Sequence, residues 1–131
     1  MTAEEKIRAN AQLVLDRFSS HSELHSQFGY NPQSVKWVEE FIEQQRTRVD
    51  ITPASMTKLT QVLGSYLGEC IIHIYGGAWR QQEGQWGVFF DDSNGVFPFN
   101  KVGKQFKNGL IGGDSIVSFF ELIGPVILKR S

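Results

Sequence analysis

The hydrophobic pattern of the first fifty residues predicts two amphipathic helices. The first is placed at residues 2–20 because Thr2 and Glu5 have the spacing of a capping box. The second begins at the start signal Asn31-Pro32. Apolar residues at steps of three and four form the buried faces of the two helices: Ile7, Ala11, Val14, Leu15 and Phe18 in the first, and Val35, Val38, Phe41 and Ile42 in the second. The acidic residues Glu39, Glu40 and Glu43 are predicted on the opposite, solvent-facing side of the second helix.

The longest helical pattern lies in the middle of the chain and predicts a central helix over residues 53–75. Thr52-Pro53 repeats the start signal, and Gly76-Gly77 supplies a C-terminal cap. One apolar stripe follows the whole helix: Met56, Leu59, Leu63, Tyr66, Leu67, Cys70 and Ile74. Residues 70–75 are rich in β-branched side chains and could instead form a strand. The unbroken helical spacing favours the helix.

The pattern after Gly77 changes to that of short strands. Residues 78–82 and 86–90 are predicted to pair around a turn at Glu83-Gly84, and residues 96–99 form a third strand with Pro98 at its edge. The turn between the second and third strands contains Asn94-Gly95, which is a strong hairpin signal. These segments predict a small antiparallel meander.

Two short helices are predicted after the meander. Asn100 caps the first, which ends at Asn108-Gly109, and Asp114 caps the second, which runs to Ile123 and stops at Gly124-Pro125. Residues 126–128 could add an edge strand. The predicted fold class is α+β: N-terminal helices and a long central helix packed on a three-stranded antiparallel meander, with short C-terminal helices. The length of 131 residues predicts a single domain, 1–131.

Composition narrows the functional classes. The net charge of −1 provides no field to attract nucleic acid or an anionic membrane. The single cysteine excludes an internal disulfide, and no signal peptide or membrane-spanning apolar run is recognised, so a soluble cytoplasmic protein is expected. Lys101, Lys104 and Lys107 form a basic line on a short helix, which Arg80 and the terminal Lys129-Arg130 would join only if the fold brings them near. Three lysines are too few to indicate a nucleic-acid site. No cofactor motif is present.

The central helix carries the residues closest to a catalytic pattern. Glu69 and His73 are four positions apart, so they could act as a general acid–base pair, and Cys70 could pair with His73 as a nucleophile. A structural role is favoured instead: His73 lies near the helix C-terminus, where a cation is stabilised, and Glu69 is predicted to hold it. Cys70 lies on the apolar stripe and is predicted to be a core residue.

The same helix contains Gly64 and Gly68, four positions apart. Glycine destabilises a helix by about 1 kcal/mol relative to alanine. Two glycines on one flank therefore predict the close approach of another backbone.

The remaining binding candidates lie on the meander. Trp79 and Trp86 flank its first hairpin, and tryptophans left exposed are frequent hot spots of protein interfaces. Asp91 and Asp92 could present negative charge to a basic protein partner. His21 and His25 have the order H-x-E-x-H rather than that of zinc hydrolases, and no metal site is predicted.

Several of these motifs together resemble a family of small bacterial domains of unknown function with an LGxxLGE…GGxW…PF…KxxxNG layout. The resemblance covers about half of the chain, from the central helix to the last helix. It is carried by the following positions: Leu63-Gly64, Leu67-Gly68-Glu69, Gly76-Gly77, Trp79, Phe97-Pro98-Phe99, Lys101-Val102 and Asn108-Gly109. Members of such families often look like immunity or accessory proteins encoded beside toxins. The resemblance therefore implies a toxin-like protein partner.

Two functional hypotheses follow, beside a purely structural or oligomer-forming role. The first is a non-enzymatic protein-binding module, similar to an immunity protein, whose docking face has an exposed aromatic patch with an acidic edge. The alternative is a small enzyme or ligand-binding domain with a pocket onto which Glu69 and His73 open. The absence of a reaction motif favours the first hypothesis.

Overall fold

A computed structural model describes residues 1–129 of the chain; Arg130, which was considered as a neighbour of the basic line, lies outside them. The fold is α+β, as predicted. Its helices and strands follow one another in this order: α1 (Ala3–His21), a 3-10 turn (His25–Gln27), α2 (Pro32–Arg46), α3 (Pro53–Tyr75), β1 (Ala78–Gln82), β2 (Gln85–Phe89), β3 (Gly95–Val96), α4 (Pro98–Asn108), α5 (Ile116–Leu122) and a π-helical turn (Ile123–Ile127).

The predicted caps of the first three helices are confirmed. The Thr2 side chain accepts a hydrogen bond from the Glu5 amide, and the Glu5 carboxylate accepts one from the Thr2 amide. The side chains of Asn31 and Thr52 cap α2 and α3 by accepting from the amides of Ser34 and Ser55. Helix α3 continues to Tyr75, so residues 70–75 are helical and not a strand. It ends at Gly76, whose φ of 89° favours glycine.

The three strands form the predicted antiparallel meander in the order β1-β2-β3. Trp79 lies opposite Val88, and Gln81 lies opposite Trp86. Side chains of directly paired residues lie on the same face of a sheet, and positions two apart share that face. Trp79 and Trp86 therefore belong to one face of the meander, at different distances along it.

The core is one cluster of buried residues centred on α3, which packs on α1, α4 and the meander. The predicted close approach at the two glycines of α3 is confirmed, but aromatic side chains make most of it. A Cβ atom at Gly68 would overlap the indole ring of Trp79, and one at Gly64 would overlap the ring and backbone of Phe99. These glycines let the meander and α4 lie directly against α3.

Two predictions after the meander were wrong. Strand β3 ends at Val96, and Pro98 is the first residue of helix α4 rather than the edge of a strand. Proline suits this position because its fixed φ is helical and its missing N–H would have no helical partner. The helix thus begins before Asn100, which was expected to cap it.

The predicted edge strand at residues 126–128 was also wrong. Pro125 does not stop the chain's helical course, because the helix widens into a π turn in which the Leu128 amide donates to the Ile123 carbonyl at 2.9 Å. Proline cannot donate in an α-helix and its ring crowds the preceding turn, so a wider turn accommodates it. The buried Gly124 in this turn packs against Tyr75 of α3.

The acidic face of α2 is not solvent-facing throughout, contrary to the sequence prediction. Glu39 accepts hydrogen bonds from the Ser115 hydroxyl at 2.6 Å and the Val117 amide at 3.3 Å. Glu43 accepts one from the buried Gln105 side chain at 3.0 Å. These carboxylates join α2 to α4 and α5.

Asp114 does not cap α5, contrary to the prediction. The cap is Ser115, whose hydroxyl accepts from the Ser118 amide. Asp114 binds Lys101 at 3.1 Å and Asn108 at 2.8 Å, and these partners lower the pKa of its carboxyl group. The ion pair also removes Lys101 from the predicted basic line.

Candidate functional site

The six residues predicted for binding do not form one site. Glu69, His73 and Trp79 lie together where the C-terminal half of α3 meets β1. Asp91 and Asp92 lie in the turn that joins β2 to β3, and Trp86 lies near the opposite end of β2. These three places have different chemistry and are considered in turn.

The Glu69 side chain binds Trp79. The prediction that it holds His73 was wrong. The indole Nε1 of Trp79 donates a hydrogen bond to Glu69 Oε2 at 2.8 Å, and Trp79 is only 5% exposed. A buried indole N–H needs a partner, and a carboxylate is a strong one. Glu69 therefore orients Trp79 on α3 and does not hold the imidazole of His73.

His73 is exposed and has two other neighbours. Its Nδ1 lies 2.9 Å from the backbone carbonyl oxygen of Glu69, and its ring lies against Tyr30 with 4.5 Å between the ring centroids. Burial raises the pKa of Tyr30 to about 12, and the negative charge of Glu69 adds to this effect. The phenol thus stays neutral at physiological pH and provides His73 with a flat aromatic surface.

Cys70 is fully buried on the apolar stripe, as predicted. Burial raises the pKa of its thiol to about 12. A nucleophilic cysteine needs a lowered pKa and access to substrate. Cys70 has neither, which leaves the Cys70–His73 nucleophile without structural support.

The two aspartates of the β2–β3 turn have separate roles. Asp91 Oδ1 accepts hydrogen bonds from the amides of Ser93 and Asn94, each at 2.8 Å, and the Asn94 side chain also donates to this carboxylate. These donors lower the pKa of Asp91. Asp92 is fully exposed and lies 3.2 Å from Arg80, whose guanidinium stands over the Phe89 ring. Asp91 therefore stabilises the turn, and Arg80 offsets part of the negative charge of Asp92.

Trp86 is half-buried and lines a cleft of about 580 Å³, which we call the Trp86 cleft. The cleft is formed by the start of α1, the N-terminal half of α3, β2 and α4. Its lining residues are Ala3, Lys6, Ile7, Asn10, Met56, Thr57, Thr60, Gln61, Ser65, Gln85, Trp86, Phe99, Asn100, Gly103 and Phe106. Neither Glu69 nor His73 belongs to this lining.

The chemistry of the Trp86 cleft is aromatic and, apart from Lys6, uncharged. Amide and hydroxyl side chains surround the rings of Trp86 and Phe99, and the Asn100 amide donates to Gln85 Oε1 at 3.3 Å. Lys6 is the sole ionisable side chain among its lining residues within 1–129. The cleft can therefore bind apolar groups and exchange hydrogen bonds, but it contains no acid–base pair.

Sequence reasoning identified Trp86 and missed the rest of the cleft. Gln85 and Asn100 were not considered as site residues, because amides carry no catalytic signature on their own. One local signal could have identified them. Gln85 is adjacent to Trp86 and Asn100 is adjacent to Phe99, and both segments follow α3 in the chain and could fold back against it. The contribution of α1 depends on tertiary packing and had no such local signal.

Comparisons with known proteins leave the family open. A scan against protein-family models, a search of curated proteins and a search of solved structures each found no significant match. Within residues 1–129, no helix combines the length and apolar character needed to cross a membrane. The same residues contain no cluster of three or more His, Cys, Asp or Glu side chains arranged to hold a metal ion.

Proposed function

We propose that this protein is a non-enzymatic protein-binding module that docks an uncharged segment of a partner protein in the Trp86 cleft. The observation that carries the proposal is the half-buried Trp86 in the lining of a concave surface whose other polar lining residues, apart from Lys6, are uncharged. Tryptophan in a pocket with a polar edge is the typical composition of an interface hot spot. The cleft thus has the features of a docking site.

The amide side chains favour a polypeptide as the occupant. Asn10, Gln61, Gln85 and Asn100 each provide both donors and acceptors, which match the alternating N–H and C=O groups of a backbone. The rings of Trp86 and Phe99 offer a contact surface for an apolar side chain of the partner. Following the resemblance to bacterial immunity-like domains, we propose a toxin-like protein as the source of this segment.

The face differs from the acidic one expected from the sequence. Asp91 is committed to its turn, and Asp92 is paired with Arg80. The alternative function, a pocket around Glu69 and His73, has less support because Glu69 is engaged by Trp79 and His73 is engaged by Tyr30. We therefore place the docking face at Trp86.

The test is capture of the partner from the native host with tagged protein, followed by calorimetry with the purified partner. Trp86→Ala is expected to weaken the affinity by about 30-fold or more, as for a hot-spot residue. Asn100→Ala should weaken it less, because each amide contributes part of the polar edge. The matched control is Asp92→Asn, which removes an exposed charge outside the cleft and should leave the affinity unchanged.

Two results would overturn the proposal. Loss of binding in Asp92→Asn with retention in Trp86→Ala would move the docking face to the β2–β3 turn. If the wild-type protein captures no partner, the protein-binding function itself is wrong. Thermal-shift screening of small ligands against the wild type and Glu69→Gln would then test the alternative.

A further inference from the structure

A second cleft lies on the opposite flank of α3 from the Trp86 cleft. It has a volume of about 450 Å³ and is formed by the second half of α1, the end of α2, residues 48–51 and the first half of α3. Its polar lining includes Arg17, Gln45, Arg48, Asp50 and Lys58, and we call it the basic-edged cleft. Its apolar lining residues are Leu13, Val14, Phe18, Phe41, Ile51, Leu59, Val62 and Leu63.

The walls of the basic-edged cleft are apolar and incompletely covered. Val14 and Leu63 are buried at its base, at 2% and 1% exposure. Phe18 and Leu59 are only half-buried, and Leu13 is 38% exposed. A concave site with partly accessible apolar walls can take up an apolar group of a ligand.

The edge of the cleft carries an excess of positive charge. Three cations and one carboxylate line it, a difference of two positive charges. Arg48 and Asp50 neutralise each other through two hydrogen bonds of 2.8 and 3.0 Å. Arg17 and Lys58 form no ion pair within 4.0 Å with any residue of the range 1–129. Two cations are thus left to meet a negative group at the mouth of an apolar cleft.

We propose that the basic-edged cleft binds a single-chain amphipathic anion, an unbranched alkyl chain that ends in a carboxylate. The chain would lie against the apolar walls and displace water from them. The carboxylate would remain at the edge, between Arg17 and Lys58. The volume of the cleft lies within the range of small-molecule sites, which favours a fatty acid over the helix of a partner protein.

The ligand test uses calorimetry with saturated fatty acids from hexanoate to dodecanoate, each below its micelle concentration. Affinity is expected to rise about fourfold for each added CH₂ until the chain fills the cleft. The primary alcohol of the same length should bind more weakly than the carboxylate. Equal affinity for all chain lengths, or for decanol and decanoate, would overturn the proposal.

Variants that remove positive or negative charge from the edge of the cleft should change the affinity in opposite directions. Arg17→Gln and Lys58→Gln should each weaken decanoate binding about two- to fivefold, as for an exposed ion pair. Asp50→Asn should strengthen binding, because it removes the one negative charge at the edge. All three side chains are exposed, so the fold should tolerate the changes. The control Lys36→Gln removes an exposed positive charge of α2 outside the cleft and should have no effect.

Two other ligands provide the contrary outcomes. Binding to vesicles containing anionic phospholipid, with none to monomeric fatty acids, would make the cleft a membrane contact and overturn the proposal. Binding only to an acidic amphipathic peptide would do the same. The proposal is independent of the Trp86 cleft: Trp86→Ala should leave decanoate binding intact whether or not it abolishes capture of a protein partner.

Discussion

Two tryptophans on one face of the meander have opposite environments. Trp79 is buried against Gly68 of α3, and its indole N–H is bound by Glu69. Trp86 is two positions further along the same face but on the adjacent strand, where it is half-buried and borders an open cleft. The difference arises because α3 offers a glycine beneath Trp79, whereas small and polar residues of three helices leave a gap beside Trp86.

This difference separates a structural aromatic residue from a candidate binding residue. A side chain whose apolar surface and polar atom are both satisfied within the fold has nothing left for a ligand. Trp79 meets that description. Trp86 retains accessible ring surface, so its contribution to stability should be smaller than that of Trp79 and its contribution to binding larger.

The largest expected effect distinguishes the two tryptophans by stability. Trp79→Ala should lower the free energy of unfolding by about 3–5 kcal/mol, because it leaves a large cavity between α3 and the meander. Trp86→Ala should lower it less, by about 2 kcal/mol, because part of the ring remains accessible to solvent in the cleft. Urea unfolding followed by circular dichroism measures both. Equal losses would show that the two environments do not differ in energy.

The next effect tests the close contact beneath Trp79 from the side of α3. Gly68→Leu should destabilise the protein by about 1–3 kcal/mol, because the new side chain must displace the indole ring. Gly103→Ala in α4 is the matched control. A Cβ there would meet only Thr60 at 3.6 Å, so the better helix propensity of alanine should make the change neutral or stabilising by up to about 1 kcal/mol. An unchanged melting temperature in Gly68→Leu would contradict the packing argument.

A smaller effect concerns the hydrogen bond that holds Trp79. Glu69→Ala leaves the indole N–H without its acceptor, which should cost about 1–2 kcal/mol of stability. Glu69→Gln keeps an acceptor oxygen in place and should cost less than about 1 kcal/mol. His73→Ala, at an exposed position, is the control for an effect through the imidazole. If His73→Ala destabilises the protein as much as Glu69→Ala does, Glu69 stabilises the fold through His73, as the sequence predicted, and not through Trp79.

The sequence was sufficient for the parts of this comparison that depend on local pattern. Thr2, Asn31 and Thr52 cap helices through contacts within four residues, and such signals are complete in a short stretch of chain. The spacing of Gly64 and Gly68 also indicated close packing correctly. The spacing could not identify the packing partners, because Trp79 of β1 and Phe99 of α4 lie far from these glycines in the chain and reach them only through the tertiary fold.

The candidate site was harder to predict because it depends on which side chains the tertiary fold buries and which it leaves accessible. Glu69 has two candidate partners, His73 one helical turn away and Trp79 beyond the glycine cap, and only the path of β1 decides between them. The Trp86 cleft depends on where α1 and α4 cross α3. Residue types and spacing carry little information about such crossings, so the two tryptophans look equivalent in the sequence.

The last prediction concerns the stability of the protein at alkaline pH, where the buried Cys70 and the half-buried Tyr30 contribute. In the folded protein, burial raises the pKa of Cys70 from 9.0 to about 12. It raises the pKa of Tyr30 from 10.0 to about 12. The unfolded chain releases these protons first as the pH rises, so stability is complete below pH 9 and declines from there towards pH 12. Tyr30→Phe should reduce the decline above pH 10, by less than about 1.4 kcal/mol per pH unit because this side chain is partly exposed to solvent. Urea unfolding at pH 8 and pH 11 measures the decline, and Trp86→Ala is the control that should leave it unchanged. A decline of the same size in Tyr30→Phe as in the wild type would mean that this phenol titrates alike in the folded and unfolded chains.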